Sequence, residues 1–339
     1  MKSVIIDALK GMNNMEKIIK VNYTAAHIPN LKGTVRIANL ADIHFEKNVT
    51  LEKVKKAFTL VGDYKPDYIC LLGDNIDSTN VIDDPTKKQE FLDLMTYSGS
   101  IAPTMISLAD HDQRFYDSEG NGTFDFREGF WKEVGSIPNV HVLNNEGYED
   151  DKVRFLGYTL PSYYYTAKYP LPEDSWIEET REDEDINVLL EDLSKNQELL
   201  DAYLENPDSK YTALLFHSPQ MVTDPCVAYQ LRGFNHVFSG HMHEGCMPPI
   251  LDDIIPSSLG LISPQRSLFP HNSRGIIRLG YGNLCIINGG ITKIHGSANK
   301  ILQPFNKMFP MHIDIVDATG YEVAKRKEYT RKSTYKYVK

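Results

Sequence analysis

The sequence is poor in the features that mark several protein classes. It has only four cysteines in 339 residues, Cys70, Cys226, Cys246 and Cys285, and no two of them form a CxxC pair. That excludes a dense disulfide framework and a cysteine-rich zinc module, and it fits a reducing compartment. No run of about 18 apolar residues occurs, so no membrane-spanning helix is predicted. The N-terminal stretch MKSVIIDALKGMNNMEK is broken by Asp7 and Lys10, too charged for the apolar core of a secretion signal. A cytoplasmic protein is the expectation. Positive charge is also scarce, with 36 Lys+Arg against 46 Asp+Glu and a net charge of −10. That balance argues against long nucleic acid and anionic membrane as partners. No internal repeat is present. A composition 41% hydrophobic and 24% charged excludes disorder for most of the length, and the length allows one large domain or two.

Short β-like runs alternate with amphipathic stretches, which favours an α/β fold. TVRIANL (34–40), YICLL (68–72) and TMISL (104–108) read as buried strands. Between them, Leu51, Val54, Ala57, Phe58 and Val61 fall at helical spacing behind Thr50 as an N-cap, and a second helix is predicted around 88–96. Residues 113–131 read as a loop with a short helix. Further strands are predicted at 140–143, 153–158, 212–216, 236–238, 276–279, 284–287 and 312–316, with a helix over 185–205. The domain expectation is an N-terminal extension (1–30), a catalytic body (31–320) with insertions at 112–135, 160–210 and 246–275, and a basic tail (321–339) that frays.

Several predicted strands end in residues that bind metals. The first ends ADIH, with Asp42 and His44. The second ends GDNID, with Asp74 and Asp77. The third ends ADHD, with Asp110 and His111. Later strands end FHSP, with His217, and SGHMHEG, with His241 and His243. Alternate residues of an extended chain share a face, so each DxH or HxH pair is expected to reach one ion. In open α/β sheets such residues collect beyond the carboxyl ends of the strands. Imidazole with carboxylate suits zinc, iron, manganese or nickel and disfavours calcium. The donors outnumber what one ion takes, which points to two ions about 3.5–4 Å apart. Each motif alone is commonplace. Five of the eleven histidines, however, fall in these motifs, each directly after a predicted strand.

The order DxH, GDxxD, a GNH[DE]-like ADHD, a lone His and GHxH resembles the calcineurin-like metallophosphoesterase superfamily over roughly residues 34–292. The NLADIH and SGHMHEG variants resemble its bacterial branch. The resemblance implies a four-layer α/β/β/α sandwich of two mixed sheets. It also implies that Asp42, His44 and His243 hold one metal, Asp110, His217 and His241 a second, and that Asp74 bridges them. His111 is then the catalytic group that assists at the phosphate, with Asp77 hydrogen-bonded to it to fix its tautomer. The implied reaction is hydrolysis of a phosphodiester or phosphomonoester by a hydroxide bridging the two metals. The substrate is a small-molecule or lipid-linked phosphate ester; a nuclease or nucleotide-directed phosphodiesterase, or a metal-binding scaffold without catalysis, are the alternatives.

One position departs from that pattern. Asp110 stands where the family has asparagine, and Ala109 where glycine is usual. An extra carboxylate lowers the positive charge of a two-metal site, so a lean toward singly charged diesters is expected. Arg114 is a candidate phosphate contact. Tyr163, Tyr164 and Tyr165 are read as packing within an insertion, and Cys70, Cys285, His141 and His236 as structural. His271 and His295 receive no role, and Asn288-Gly289-Gly290 resembles the family's late glycine turn.

Overall fold

The computed structural model describes residues 18–46, 49–119, 122–160, 196–206, 208–223, 225–252, 254–264, 267–294, 306, 308–324 and 327–338. The chain runs β1 (Ile18–His27), β2 (Thr34–Leu40), α1 (Leu51–Asp63), β3 (Tyr68–Leu72), α2 (Pro85–Ile101), β4 (Thr104–Ser107), β5 (Arg114–Tyr116) and β6 (Gly122–Phe124). It continues through α3 (Glu128–Gly135), β7 (Val140–Leu143), β8 (Glu146–Glu149), β9 (Val153–Gly157), α4 (Gln197–Asp201), β10 (Tyr211–Leu215), α5 (Pro219–Val222) and α6 (Pro225–Gln230). It closes with β11 (His236–Ser239), β12 (Gly275–Arg278), β13 (Leu284–Ile287), β14 (Met311–Thr319) and β15 (Tyr329–Tyr337).

Two mixed sheets organise these elements. The larger has the order β15-β1-β14-β2-β3-β4-β7 and the smaller β12-β13-β11-β10-β9-β8; β5 and β6 pair as a separate hairpin. Central strands such as YICLL and LCII are buried on both faces, which is why they read as continuous apolar runs. Alternation then assigns the layers. Ile69 and Leu71 face Val54, Phe58, Phe91 and Trp131 of α1, α2 and α3. Tyr68, Cys70 and Leu72 face Phe155, Tyr211 and Leu215 of the other sheet. On that sheet's far side, Leu156, Leu214 and Ile287 meet Leu200, Val222 and Ala228 on or beside the short helices. The result is helix, sheet, sheet, helix, with three apolar seams between four layers. Two capped helices brace the first seam. Thr50 Oγ1 accepts the Lys53 N–H at 3.3 Å, and Asp84 accepts the Thr86 and Lys87 N–H groups ahead of Pro85 in the first turn of α2.

Three parts of the sequence reading differ from the structure. Residues 18–27, assigned to an N-terminal extension, form β1 inside the large sheet, parallel to β14 and antiparallel to β15. The basic tail therefore does not fray over 329–337. It is the edge strand, and its nine paired registers with β1 supply the backbone hydrogen bonds that its polar sequence conceals. The stretch 112–135 holds the β5–β6 hairpin as well as α3. Of the predicted 185–205 helix, α4 covers Gln197–Asp201; residues 185–195, and the tyrosine cluster at 163–165, lie outside the described residues. Among the described residues no helix is long and apolar enough to cross a membrane.

Candidate metal centre

β2, β3 and β4 of the large sheet and β10 and β11 of the small one all end at the same place. The loops that follow them carry Asp42 and His44, Asp74, Asp110 and His111, His217, and His241 and His243. The loops are stitched together by their backbones: the Asp42 N–H donates to the Gly73 carbonyl (3.2 Å), the His44 N–H to the Asp74 carbonyl (2.9 Å) and the Gly240 N–H to the His217 carbonyl (2.9 Å). So the site sits on the ends of two sheets rather than on the edge of one.

The DxH and HxH pairs do not reach it by strand alternation. β2 stops at Leu40 and β11 at Ser239, before either pair begins. Instead Asp42, His44, Asp74, His241 and His243 have φ of 51°, 46°, 51°, 66° and 46°. Left-handed backbone at non-glycine residues costs about 1–3 kcal/mol each and gathers where function demands it. Two glycines make room for these turns. A Cβ on Gly73 (φ 87°) would lie 2.7 Å from His217 Nδ1, and one on Gly290 (φ 81°) would lie 3.0 Å from the Asp42 side chain. Gly290 belongs to the NGG turn, which thus backs the site directly.

The donor atoms converge in overlapping groups. Asp42, His44 and His243 form one, Asp74, Asp110, His217 and His241 another, and His44, Asp74 and His111 a third; within each, the potential ligand atoms lie within 4.8 Å of one another. His217 Nε2 is 3.1 Å from Asp74 Oδ2 and 3.8 Å from Asp42 Oδ1, His44 Nε2 is 3.5 Å from Asp74 Oδ2, and His243 Nε2 is 3.7 Å from Asp42 Oδ1. Two ligands at tetrahedral angles with bonds of about 2.1 Å sit roughly 3.4 Å apart, so these spacings suit a shared cation.

Hydrogen bonds aim the donors. The Nδ1 atoms of His217, His243 and His111 lie 2.6 Å from the carbonyls of Leu72, Thr292 and Asp77. A carbonyl only accepts, so each Nδ1 carries the proton and each Nε2 presents its lone pair. The carboxylates follow the same plan. Asp42 Oδ1 accepts the His241 N–H (3.0 Å), Asp74 Oδ1 the His111 N–H (3.2 Å), and Asp110 Oδ2 the Arg114 guanidinium (2.8 Å). Asp42 Oδ2 and Asp110 Oδ1 are buried with no hydrogen-bond partner among the described residues. Orphaned carboxylate oxygens in a buried pocket are costly unless a cation meets them. Burial pushes the Asp42 carboxyl up to about 7, with neighbouring Asp74 adding to the rise while His217 opposes it. Burial, joined by His217, pushes His241 down to about 3 and keeps it neutral, as ligation requires. At Asp110 burial opposes ionisation, but His111 and Arg114 outweigh it and hold the carboxyl below its ordinary range. The donor set therefore fits two divalent cations.

A model of the calcineurin-like phosphoesterase family matches residues 35–245. The chain belongs to this family. An uncharacterized metallophosphoesterase of Campylobacter jejuni is 24% identical over 241 residues, 71% of this chain and 52% of its own. The chain thus spans about half the length of that curated relative. Among solved structures, a dimetal phosphatase from Danio rerio is similar at a TM-score of 0.40 with 14% identity, covering 76% of this chain and 88% of its own. A purple acid phosphatase from yellow lupin (Lupinus luteus) seeds is similar at 0.35 with 14% identity, covering 65% and 40%.

Two residues stand differently from the family-based expectation. Asp77 meets His111 through its backbone carbonyl; its carboxylate lies 3.9 Å from His111 Nδ1 and 3.4 Å from His44 Nδ1. Arg114 holds Asp110, so the extra negative charge from which a diester preference was expected is offset on the spot. Two residues that the motif reading passed over, Asp112 and Glu244, also matter, as does Asn288 of the NGG turn. Asp112, the last letter of ADHD, accepts from the Asn75, Ile76 and Ala109 N–H groups and from Asn75 Nδ2, tying the loop after β3 to the loop after β4. Its burial pushes the carboxyl up to about 8. Asn288 binds the Asn39 carbonyl and Asp314 beneath the NGG turn.

Glu244, beside His243, anchors a second buried cluster. Its Oε1 is 2.7 Å from Lys20 Nζ on β1, and its Oε2 is 2.8 Å from His312 Nε2 on β14 and 3.6 Å from Lys293 Nζ. Lys20 also reaches Asp252 (2.5 Å), which pairs with Arg274. Lys20, Glu244, Asp252 and Arg274 form one wall of a cavity of about 640 Å³, faced by Tyr329, Arg331, Ser333 and Tyr335 from alternate positions of β15. The structural reading of two other histidines matches their settings. His236 is buried against the Tyr211 hydroxyl (2.7 Å), burial pushing it down to about 3, and His141 packs on Tyr148. Cys70 and Cys285 are buried in the seams, and the His271 carbonyl accepts from Gln220 and Ser273. His295 lies outside the described residues.

Proposed function

We propose that the protein hydrolyses a phosphate ester, a phosphodiester or phosphomonoester of a small molecule or lipid, with two divalent metal ions. The observation that carries this reading is that Asp74 belongs to two of the overlapping donor groups, one with Asp110, His217 and His241 and one with His44 and His111. Asp42, His44 and His243 would hold one ion and Asp110, His217 and His241 the other, with Asp74 between them. Bound there, the ions supply Lewis acidity for the phosphoryl oxygens and for water.

The remaining work falls to this chain's side chains. The Asp77 carbonyl accepts the His111 Nδ1–H and leaves Nε2, 3.9 Å from Asp110 Oδ2, facing the donor groups. Once Nε2 also takes up a proton from solvent, the His111 imidazolium can stabilise charge on the phosphoryl group or hand that Nε2 proton to the departing oxygen. The His111 N–H holds Asp74 Oδ1 while Oδ2 faces His44 and His217, and the His241 N–H fixes Asp42 Oδ1, the oxygen beside His217 and His243. Substrate choice would reside in the segments 112–135, 160–184 and 246–275.

The test is to strip the protein of metal and reload it with Mn²⁺, Zn²⁺, Fe²⁺ or Ni²⁺ singly. Bound metal is then counted, and bis-p-nitrophenyl phosphate and p-nitrophenyl phosphate are assayed with each. Two ions per chain and turnover of at least one ester are expected. His111→Ala is expected to retain both ions and lose about 10²–10⁴-fold in turnover. A chain holding two ions yet inert toward both esters is a scaffold, and this reading fails.

A further inference from the structure

Resting on that reading, we propose that Arg114 is the charge partner that makes Asp110 equivalent to the family's asparagine at the second metal position. Arg114 Nη2 lies 2.8 Å from Asp110 Oδ2, across one turn of chain. An asparagine offers a ligand one carbonyl oxygen and no charge. Asp110 with one oxygen taken by a guanidinium offers the same: Oδ1 is left buried without a hydrogen-bond partner among the described residues, and the pair sums to zero charge. Arg114 is itself held for this task. It begins β5, whose hairpin partner β6 pairs Phe124 opposite it; its Nη1 donates to the Tyr116 hydroxyl at 3.3 Å, and its carbonyl accepts the Thr79 hydroxyl at 3.1 Å. The guanidinium is thus committed to a ligand, which makes Arg114 a positioning residue rather than a phosphate contact. It follows that the two departures of this chain, aspartate for asparagine and an arginine four residues on, work as one unit.

The pair makes a four-way test with two probes, Mn²⁺ alone and inorganic phosphate on the Mn²⁺-loaded protein, both by titration calorimetry. The pair's charge is zero in the wild type, −1 in Arg114→Gln, +1 in Asp110→Asn and zero again in the double variant. Weaker-site Mn²⁺ affinity is expected to follow charge, tightest in Arg114→Gln and weakest in Asp110→Asn, at about tenfold per unit of charge. The double variant returns to within about threefold of the wild type on the same grounds. Phosphate affinity is expected in the reverse order. A merely structural role would weaken Mn²⁺ binding in every variant, and that result overturns the proposal. A direct phosphate contact would leave phosphate binding as weak in the double variant as in Arg114→Gln, and that overturns it too. If the wild type binds no Mn²⁺, the metal reading itself fails instead. Metal-free melting curves of all four proteins show that each is folded, and Asp110→Asn restoring phosphate binding to Arg114→Gln is a rescue that misfolding cannot mimic.

Discussion

Two buried charge clusters touch at His243 and Glu244 and are built on opposite principles. On the His243 side, carboxylates crowd together, with Asp42 Oδ2 and Asp110 Oδ1 lacking a hydrogen-bond partner among the described residues and the imidazoles turned to show lone pairs. On the Glu244 side, one carboxylate meets Lys20, Lys293 and His312, and Asp252 meets Lys20 and Arg274. The first cluster leaves acceptors for a cation the polypeptide does not supply. The second brings its own cations and closes on itself. The lesson is that burial of charge does not identify a functional site; the sign left over after pairing does.

Removing a charge on each side separates the two. Asp74→Asn is expected to lower ester hydrolysis by about 10³-fold while leaving the metal-free protein as stable as before or more so, since it relieves a crowd of carboxylates. Hydrolysis and metal-free melting, measured together, check it; a melting loss matching that of a Glu244 variant would erase the distinction. Glu244→Ala is expected to cost about 3–5 kcal/mol in urea unfolding, because it strands buried lysines. A stable Glu244→Ala protein that had lost only metal would move Glu244 into the first cluster. The smallest effect is on pH. Burial pushes His312 down to about 3, against an ordinary value near 6.5. The unfolded chain therefore takes up a proton below pH 6.5 that the folded chain refuses. Stability is full above 6.5 and falls as pH drops toward 3, by about 1.4 kcal/mol per unit from this group. Between pH 7 and 5 the wild type is expected to lose about 2 kcal/mol that His312→Gln does not. Unfolding curves at the two pH values decide it; equal losses would show that His312 takes up its proton as readily in the fold as in the unfolded chain.

The sequence made the first cluster far more legible than the second. Asp42, His44, Asp74, Asp110, His111, His217, His241 and His243 stand in short motifs after apolar runs, and the structure gathers all eight at one place. The route was misread: left-handed turns, not strand alternation, bring the pairs inward, and φ is not written in residue type when the residue is Asp or His. Strands buried on both faces, such as 68–72 and 284–287, announce themselves by composition and were placed to the residue. β15 does not, because an edge strand with the sequence YTRKSTYKY has little apolar signal and is defined by its partner. Glu244, Lys20 and His312 were invisible for a related reason. They come from positions up to 292 residues apart in sequence, and no local pattern links them.

The pairing of β1 with β14 and β15 sets a timetable for synthesis. Ile19 lies opposite Met311 on one side and Lys336 on the other, so β1 finds a neighbour only after the chain has been made through Met311. At about 5–20 residues per second, that strand waits roughly 15–60 s beside the ribosome with Ile19 and Val21 uncovered. Its yield in a cell therefore depends on what shields ten residues during that interval, well before any metal or substrate matters.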